Sequence, residues 1–208
     1  MVFKNEWPKL DKAAKTRQVR SFTDQFLSNA QISSDSVLSR YEVVLPGFAA
    51  RMTLNKMKAL SKNPSVDYVE QDVRFKATSS FTNKSNSSPL AAPKYAEMRA
   101  VTSSQVIPWG IERVGGPADG TGKKAWILDT GIDLDHPDLN VDLANSKSFV
   151  TGEETADDLI GHGTHVAGII AAKDNDIDVV GVAADATVVS VKVLSQFFTG
   201  DASDVLEG

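Results

Sequence analysis

The chain contains no cysteine. That excludes a disulfide scaffold, a cysteine-ligated zinc site and a thiol nucleophile, while leaving the cellular compartment open. No apolar run approaches the ~18 residues that span a bilayer. The opening stretch MVFKNEWPKL has no long apolar core, so no secretory leader is visible. Lysine and arginine never gather in a run and few aromatics are interleaved with them, which disfavours a nucleic-acid partner. What is present is ordinary for a globular protein: 208 residues, 41% hydrophobic and 24% charged. That length suits one large or two small domains. The charge is unevenly placed. Residues 1–104 hold 16 basic and 9 acidic side chains, whereas residues 105–208 hold 6 and 18. Two units of opposite sign are expected to attract each other.

Hydrophobic periodicity divides the first part of the chain into short elements. Residues 2–4 read as a scrap of strand. Residues 9–30 read as a helix, with Val19, Phe22, Phe26 and Leu27 on one face. Residues 37–44 and 48–53 read as strands around a turn at Leu45-Pro46-Gly47. Thr53 caps a predicted helix over 54–62 that shows Leu54, Met57 and Leu60 on one side and stops at Asn63-Pro64. Residues 66–73 alternate as a strand. Strand, helix, strand, strand, helix, strand is the split βαβ, ferredoxin-like order, here with a first strand that looks cut short. The division expected is a domain over 1–73, a Ser/Asn/Pro-rich linker over 74–104 and an α/β domain over 105–208. In that last part, residues 124–128 read as a buried parallel strand ending at Asp129. Residues 162–172 read as a buried helix, and residues 179–182 and 187–194 as further strands. The two Asn-x-Ser patterns in the linker are expected by chance.

Two clusters could carry chemistry. In Trp126-Ile-Leu-Asp129-Thr-Gly131-Ile-Asp133, an aspartate ends a parallel strand, the place where α/β sheets set their sites, and Gly131 permits a tight turn. Alone the run is ambiguous: the aspartate could cap a turn, and the same pattern occurs in the loop of aspartic proteases. In Gly161-His162-Gly163-Thr164-His165-Val166-Ala167-Gly168, glycines bracket a histidine at a helix start. His162 and His165 lie three apart, but no third ligand has suitable spacing, so zinc is disfavoured. His165 is expected on the buried side with Val166. A phosphate-loop reading of Gly120-Thr-Gly-Lys-Lys124 fails, because Pro117 stands where a glycine is needed and the segment precedes its strand.

Taken together, residues 105–208 resemble the subtilisin-like serine proteases. The resemblance rests on Ile127-Leu128-Asp129-Thr130-Gly131-Ile132, His136-Pro137-Asp138-Leu139, the run from Gly161 to Gly168, Gly181-Val182-Ala183 and Val191-Lys192-Val193-Leu194. Residues 37–73 resemble the family's inhibitory propeptide, through Gly47-Phe48-Ala49-Ala50 and the run from Val66 to Asp72. Pro108-Trp109-Gly110-Ile111 resembles the start of a mature enzyme.

The resemblance implies a serine endopeptidase precursor with a parallel-sheet α/β domain. Asp129 would be the triad carboxylate, and His162 the general base and then general acid. The family's serine lies in a Gly-Thr-Ser-Met-Ala-like motif that this sequence does not contain, and its oxyanion asparagine is also missing. Ser190, Ser195 and Ser203 lie in other contexts. The chain by itself is therefore expected to be inactive and to leave a sheet edge and an apolar face exposed. A truncated inhibitor-like binding protein or pseudoenzyme is the alternative. Phe198, Thr199 and Gly200 align with the edge that pairs with extended peptide substrate, and Phe197 and Phe198 replace small residues common there. A structural calcium ion is implied, held by Gln105, Asp138, the Asn175 side chain and the carbonyls of Lys173, Ile177 and Val179. The first domain is expected to dock on the second and inhibit it until cleavage between Ala100 and Gln105. The full-length form is expected to be secreted, with neither membrane nor nucleic acid as a partner.

Overall fold

The computed structural model describes residues 1–4, 7, 11–43, 45–77 and 104–208. In chain order the elements are β1 (Val2–Phe3), α1 (Lys12–Asn29), β2 (Val37–Tyr41), β3 (Gly47–Ala50), α2 (Leu54–Leu60), β4 (Val66–Tyr68), β5 (Arg74–Lys76), α3 (Trp109–Arg113), β6 (Ala118–Asp119), β7 (Lys124–Asp129), β8 (Asn140–Val141), β9 (Lys147–Ser148), α4 (His162–Ala171), β10 (Ala183–Ala184), β11 (Thr187–Lys192), β12 (Thr199–Asp201) and α5 (Ala202–Glu207). They form two compact units: Met1–Arg74 with Asp201–Glu207, and Phe75–Gly200 with Gly208. Among the described residues no helix is long and apolar enough to cross a membrane.

The first unit is an antiparallel sheet in the order β2-β3-β1-β4, the arrangement the split βαβ pattern requires. Its helices start at side-chain caps. Asp11 Oδ1 accepts the Ala14 amide at 2.9 Å and Thr53 Oγ1 accepts the Lys56 amide at 3.3 Å. The face of α1 read from the sequence lies on the sheet, where Phe3, Phe26, Leu27, Phe48, Leu60 and Val66 are buried together. Phe3 meets Phe22 and Phe26 edge-on, with ring centroids 4.9 and 5.0 Å away. Each fully buried ring contributes roughly 1.5–3 kcal/mol. Gly47 is needed here: a Cβ on it would lie 2.2 Å from the Met1 carbonyl oxygen, just before β1. Helix α5 also belongs to this unit and packs on β2. Asp72 Oδ1 accepts the Ser203 amide at 3.0 Å, and the Arg74 guanidinium holds the Asp201 carboxylate with two bonds of 2.7 and 2.9 Å. That pairing keeps the Asp201 carboxyl below the usual carboxylate range. Burial, reinforced by Asp72, Glu207 and Asp204, raises the Tyr41 hydroxyl above the ordinary tyrosine range.

In the second unit, β7 and β11 run parallel in register from Lys124 opposite Thr187 to Asp129 opposite Lys192. Strands β8 and β9 also pair in parallel with β11. Helix α4 packs on β7, and Ile127, Ile132, Leu139, Ala167, Ala171, Ala186 and Val188 close the core between them.

Four expectations change. The run over 124–128 is buried on one face only. Among the described strands β7 stands at the end of its sheet, and Trp126 and Leu128 on its other face are exposed. The strand expected over 179–182 reduces to a single bridge between Val106 and Val179. The chain is diverted there because the Gly181 and Val182 amides bond to the Ala172 and Ile169 carbonyls of the α4 end, at 3.0 Å each. The start of the expected linker is ordered as β5, while residues 78–103, including most of the expected cleavage stretch, lie outside the described residues. Finally, His165 is exposed rather than buried. The sheet-facing residues of α4 are Gly163, Thr164, Ala167 and Ala171, a stripe that leaves position 165 on the outer side.

Candidate active site

Strand β7 delivers Asp129 to the C-terminal edge of the parallel sheet. The main chain is fixed there, because the Val193 and Leu194 amides both donate to the Asp129 carbonyl, at 3.0 and 3.1 Å. The side chain is buried, and its Oδ1 accepts the Thr130 amide at 2.7 Å. The chain then turns through Gly131 at φ +113°, so tightly that a Cβ would fall 2.5 Å from the Asp157 carbonyl oxygen. Helix α4 starts beside this turn. Gly161 enters it at φ +86°, and Gly163 lies so near that a Cβ would sit 2.0 Å from the Gly131 carbonyl oxygen. Glycine at 163 thus lets the two backbones meet, and His162 reaches Asp129: Nδ1 and Oδ1 are 2.7 Å apart.

Gly161 has no side chain to cap α4, and Asp158 takes over that task. Its Oδ1 accepts the Ile160 and Gly161 amides at 3.1 and 3.0 Å. Its Oδ2 accepts the amide and the hydroxyl of Thr164 at 2.9 and 2.7 Å. A carboxylate here also suits the positive end of the helix dipole. Thr130 ties the cap to the strand, donating its hydroxyl to Asp158 Oδ1 and accepting the Gly163 amide, both at 3.0 Å. Beneath Thr130 lies Lys192, opposite Asp129 in the β7–β11 register and 0% exposed. Its ammonium donates to the Thr130 carbonyl and pairs with Glu153 Oε2 at 3.1 Å. Sequence reading passed over Asp158, Thr130, Glu153 and the role of Lys192. The visible signals were an aspartate four residues before His162 and a lone lysine inside the apolar run 188–194.

The arrangement has the chemistry a general base needs. A carboxylate can only accept, so an imidazole that carries one proton would donate from Nδ1 and keep a lone pair on Nε2 able to take a proton from a hydroxyl. The Ser190 hydroxyl is buried and donates to the Ala156 carbonyl at 2.8 Å. The Ser195 hydroxyl is held in the turn that leads to β12. Phe198, Thr199 and Gly200 follow that turn. The ring of Phe198 stands edge-on to the His162 ring, centroids 5.5 Å apart, and its carbonyl accepts the Ala77 amide at 2.9 Å. An extended strand, Phe75–Ala77, therefore lies along this edge.

The residues expected to hold calcium also meet. Gln105 Nε2 lies 2.6 Å from the Lys173 carbonyl, 3.3 Å from the Val179 carbonyl and 3.5 Å from Asn175 Oδ1. Asn175 Nδ2 donates to Asp138 Oδ1 at 2.6 Å, and the Ile177 amide donates to Asn175 Oδ1 at 2.8 Å. Asp138 is 1% exposed, and burial raises its carboxyl above the usual range.

Comparison with known proteins divides the chain along similar lines. Residues 120–205 match the model of the subtilase family and residues 2–78 that of peptidase inhibitor I9. An alkaline protease of Alkalihalobacillus alcalophilus is 34% identical over 203 residues, covering 91% of this chain and 46% of the relative. Subtilisin Savinase of Lederbergia lenta is 48% identical over 111 residues, covering 50% of this chain and 40% of the relative. A crystal structure of a psychrophilic subtilisin-like protease from Pseudoalteromonas sp. AS-11 matches with a TM-score of 0.35 and 31% identity, covering 48% of this chain and 24% of that one. The chain thus spans under half the length of these relatives.

Proposed function

With the chain belonging to the subtilase family over residues 120–205 and to the peptidase inhibitor I9 family over residues 2–78, we propose that it carries the propeptide and the Asp–His pair of a secreted serine endopeptidase precursor. The observation that carries this reading is the 2.7 Å bond between Asp129 Oδ1 and His162 Nδ1. On this reading His162 Nε2 takes the proton of a serine hydroxyl as that oxygen attacks the peptide carbonyl, then returns it to the leaving amine. Asp129 holds the tautomer and stabilises the imidazolium. The serine belongs to the Gly-Thr-Ser-Met-Ala-like segment characteristic of the family, which these 208 residues do not include. Hydrolysis is therefore assigned to the polypeptide that also carries that segment. The Phe198–Gly200 edge would bind substrate main chain by strand addition, and its pairing with Phe75–Ala77 supports that role. A serine-directed phosphonate is expected to label that longer polypeptide at the motif serine, with a pepstatin-type compound inert. Absence of labelling in a polypeptide that hydrolyses peptides would overturn the serine assignment.

The residues described above would suit a hard cation once the Gln105 and Asn175 side-chain amides, whose nitrogens now bond to the Lys173 carbonyl and to Asp138, turn their oxygens inward. Asp138, Asn175 and Gln105 offer side-chain oxygens, Lys173, Ile177 and Val179 offer carbonyls, and calcium takes six to eight such ligands. We propose that calcium, when bound, neutralises the buried Asp138 carboxylate and ties residues 173–179 to Gln105. Calcium at about 100 times its dissociation constant is expected to stabilise the chain by about 2.7 kcal/mol over an EDTA-treated sample. Asp138→Asn is expected to abolish most of that difference. Identical melting curves with calcium and with EDTA would refute the site.

A further inference from the structure

We infer that Lys192 is a positioning residue for the Asp129–His162 pair: its buried ammonium holds the peptide that joins Thr130 to Gly131, and that peptide sets where the end of β7 meets the start of α4. The inference rests on the peptidase reading and names a residue outside the pair on which the pair's geometry depends.

Lys192 stands inside an apolar run and is fully buried, a position where a charge is costly. The Glu153 carboxylate, 3.1 Å away, makes that charge tolerable. It does not explain it, because a buried ion pair adds little net stability over apolar side chains of similar volume. What lysine adds is a directed donor, and its ammonium donates to the Thr130 carbonyl. The contact falls where the local chain cannot hold itself. That carbonyl belongs to the peptide entering Gly131, which sits at φ +113°. Without a Cβ, glycine permits rotations of the peptide that another residue would forbid.

The end of β11 grips two consecutive carbonyls of the turn. The Val193 and Leu194 amides take that of Asp129, and the Lys192 ammonium takes that of Thr130. Three contacts carry this grip to the pair. The Thr130 amide donates to Asp129 Oδ1 at 2.7 Å, and the Thr130 hydroxyl accepts the Gly163 amide at 3.0 Å. The Gly131 carbonyl oxygen backs against Gly163 with no room for a Cβ. Thr130 and Gly131 thus touch both the carboxylate and the residue after His162. Rotating the peptide they share would shift carboxylate and imidazole relative to each other, and their 2.7 Å contact does not survive a shift of about 1 Å.

The test separates position from stability. Lys192→Met combined with Glu153→Gln removes the donor together with the charge it pairs with, so the chain keeps most of its stability while the Thr130 carbonyl loses its lysine. In the whole 208-residue chain, the proton between His162 Nδ1 and Asp129 is followed by its NMR resonance, far downfield of the amides. That resonance is expected in the unaltered chain and in Glu153→Gln, where the lysine still reaches the carbonyl. It is expected to be lost from the double variant under conditions where that variant is folded. In the polypeptide that carries the motif serine, the double variant is expected to lower kcat about 10²-fold with KM changed by less than about threefold, the cost of misplacing reacting groups by about 1 Å. A resonance that persists in the folded double variant, or disappears from folded Glu153→Gln, would overturn the proposal. So would a kcat within about threefold of the unaltered polypeptide. Failure of the peptidase reading would appear separately, as missing phosphonate labelling, and leaves the resonance readable.

Discussion

Asp129→Asn, in the polypeptide that carries the motif serine, is expected to lower kcat about 10⁴-fold with little change in KM, the magnitude typical of this change in Ser-His-Asp hydrolases. Asp129 Oδ1 serves the Thr130 amide and the His162 ring at once, each at 2.7 Å. Asparagine has two ways to sit there. With its oxygen in that place it keeps both acceptor contacts but brings no charge, so the imidazolium formed during proton transfer loses its counterion. With its amide nitrogen toward the ring it donates to Nδ1, forces the proton onto Nε2 and removes the lone pair that would take the serine proton. Either arrangement leaves substrate contacts untouched, which places the loss in kcat. Steady-state kinetics on a peptide substrate decides the matter. A drop of less than tenfold would mean that the pair is structural and that another group acts as base.

The second large effect concerns stability. Lys192→Met is expected to destabilise the chain by about 3–5 kcal/mol, the range seen when one partner of a buried ion pair is removed. The lysine is 0% exposed, and its ammonium donates to the Thr130 carbonyl and forms an ion pair with the largely buried Glu153 carboxylate. Methionine fills much of the volume but leaves a carboxylate and a carbonyl without their cation. Adding Glu153→Gln removes the stranded charge, so the double variant should recover much of the loss. A double-mutant cycle by denaturant unfolding measures this coupling. Additive single effects would show that Lys192 acts through packing of its stem alone.

How legible the molecule was depended on how local each signal is. The α1 face was readable because Val19, Phe22, Phe26 and Leu27 repeat at the helix period; Phe22, Phe26 and Leu27 join Phe3 and Phe48 in one cluster, and Val19 is fully buried. Asp129 and His162 were singled out by resemblance to the subtilisin-like motifs, whose glycines match the backbone seen here, with close approach at 131 and 163 and positive φ at 131 and 161. The failures share the opposite property. Arg74–Lys76 is short and polar, and its strand character comes from partners at 199–201, not from its own composition. Residues 179–182 are apolar enough for a strand, yet the carbonyls at the end of α4 claim two of their amides. His165 sits one residue from the buried stripe of a small-residue helix, where the apolar sequence gives no sidedness. The burial of Lys192 needs Glu153, 39 positions earlier, to be tolerable at all.

The first unit also has a consequence for synthesis. Its sheet is encoded by residue 68, but the helix that packs on β2 begins at Ala202, and the Arg74–Asp201 bond closes a span of 127 residues. At translation rates of about 5–20 residues per second, that interval lasts roughly 6–25 s. Throughout it β2, a terminal strand of the sheet, lacks the helix that packs on it in the fold. An open strand edge is a template for pairing with another chain, so the nascent chain is expected to be more prone to association through β2 before Ala202–Glu207 is made than after.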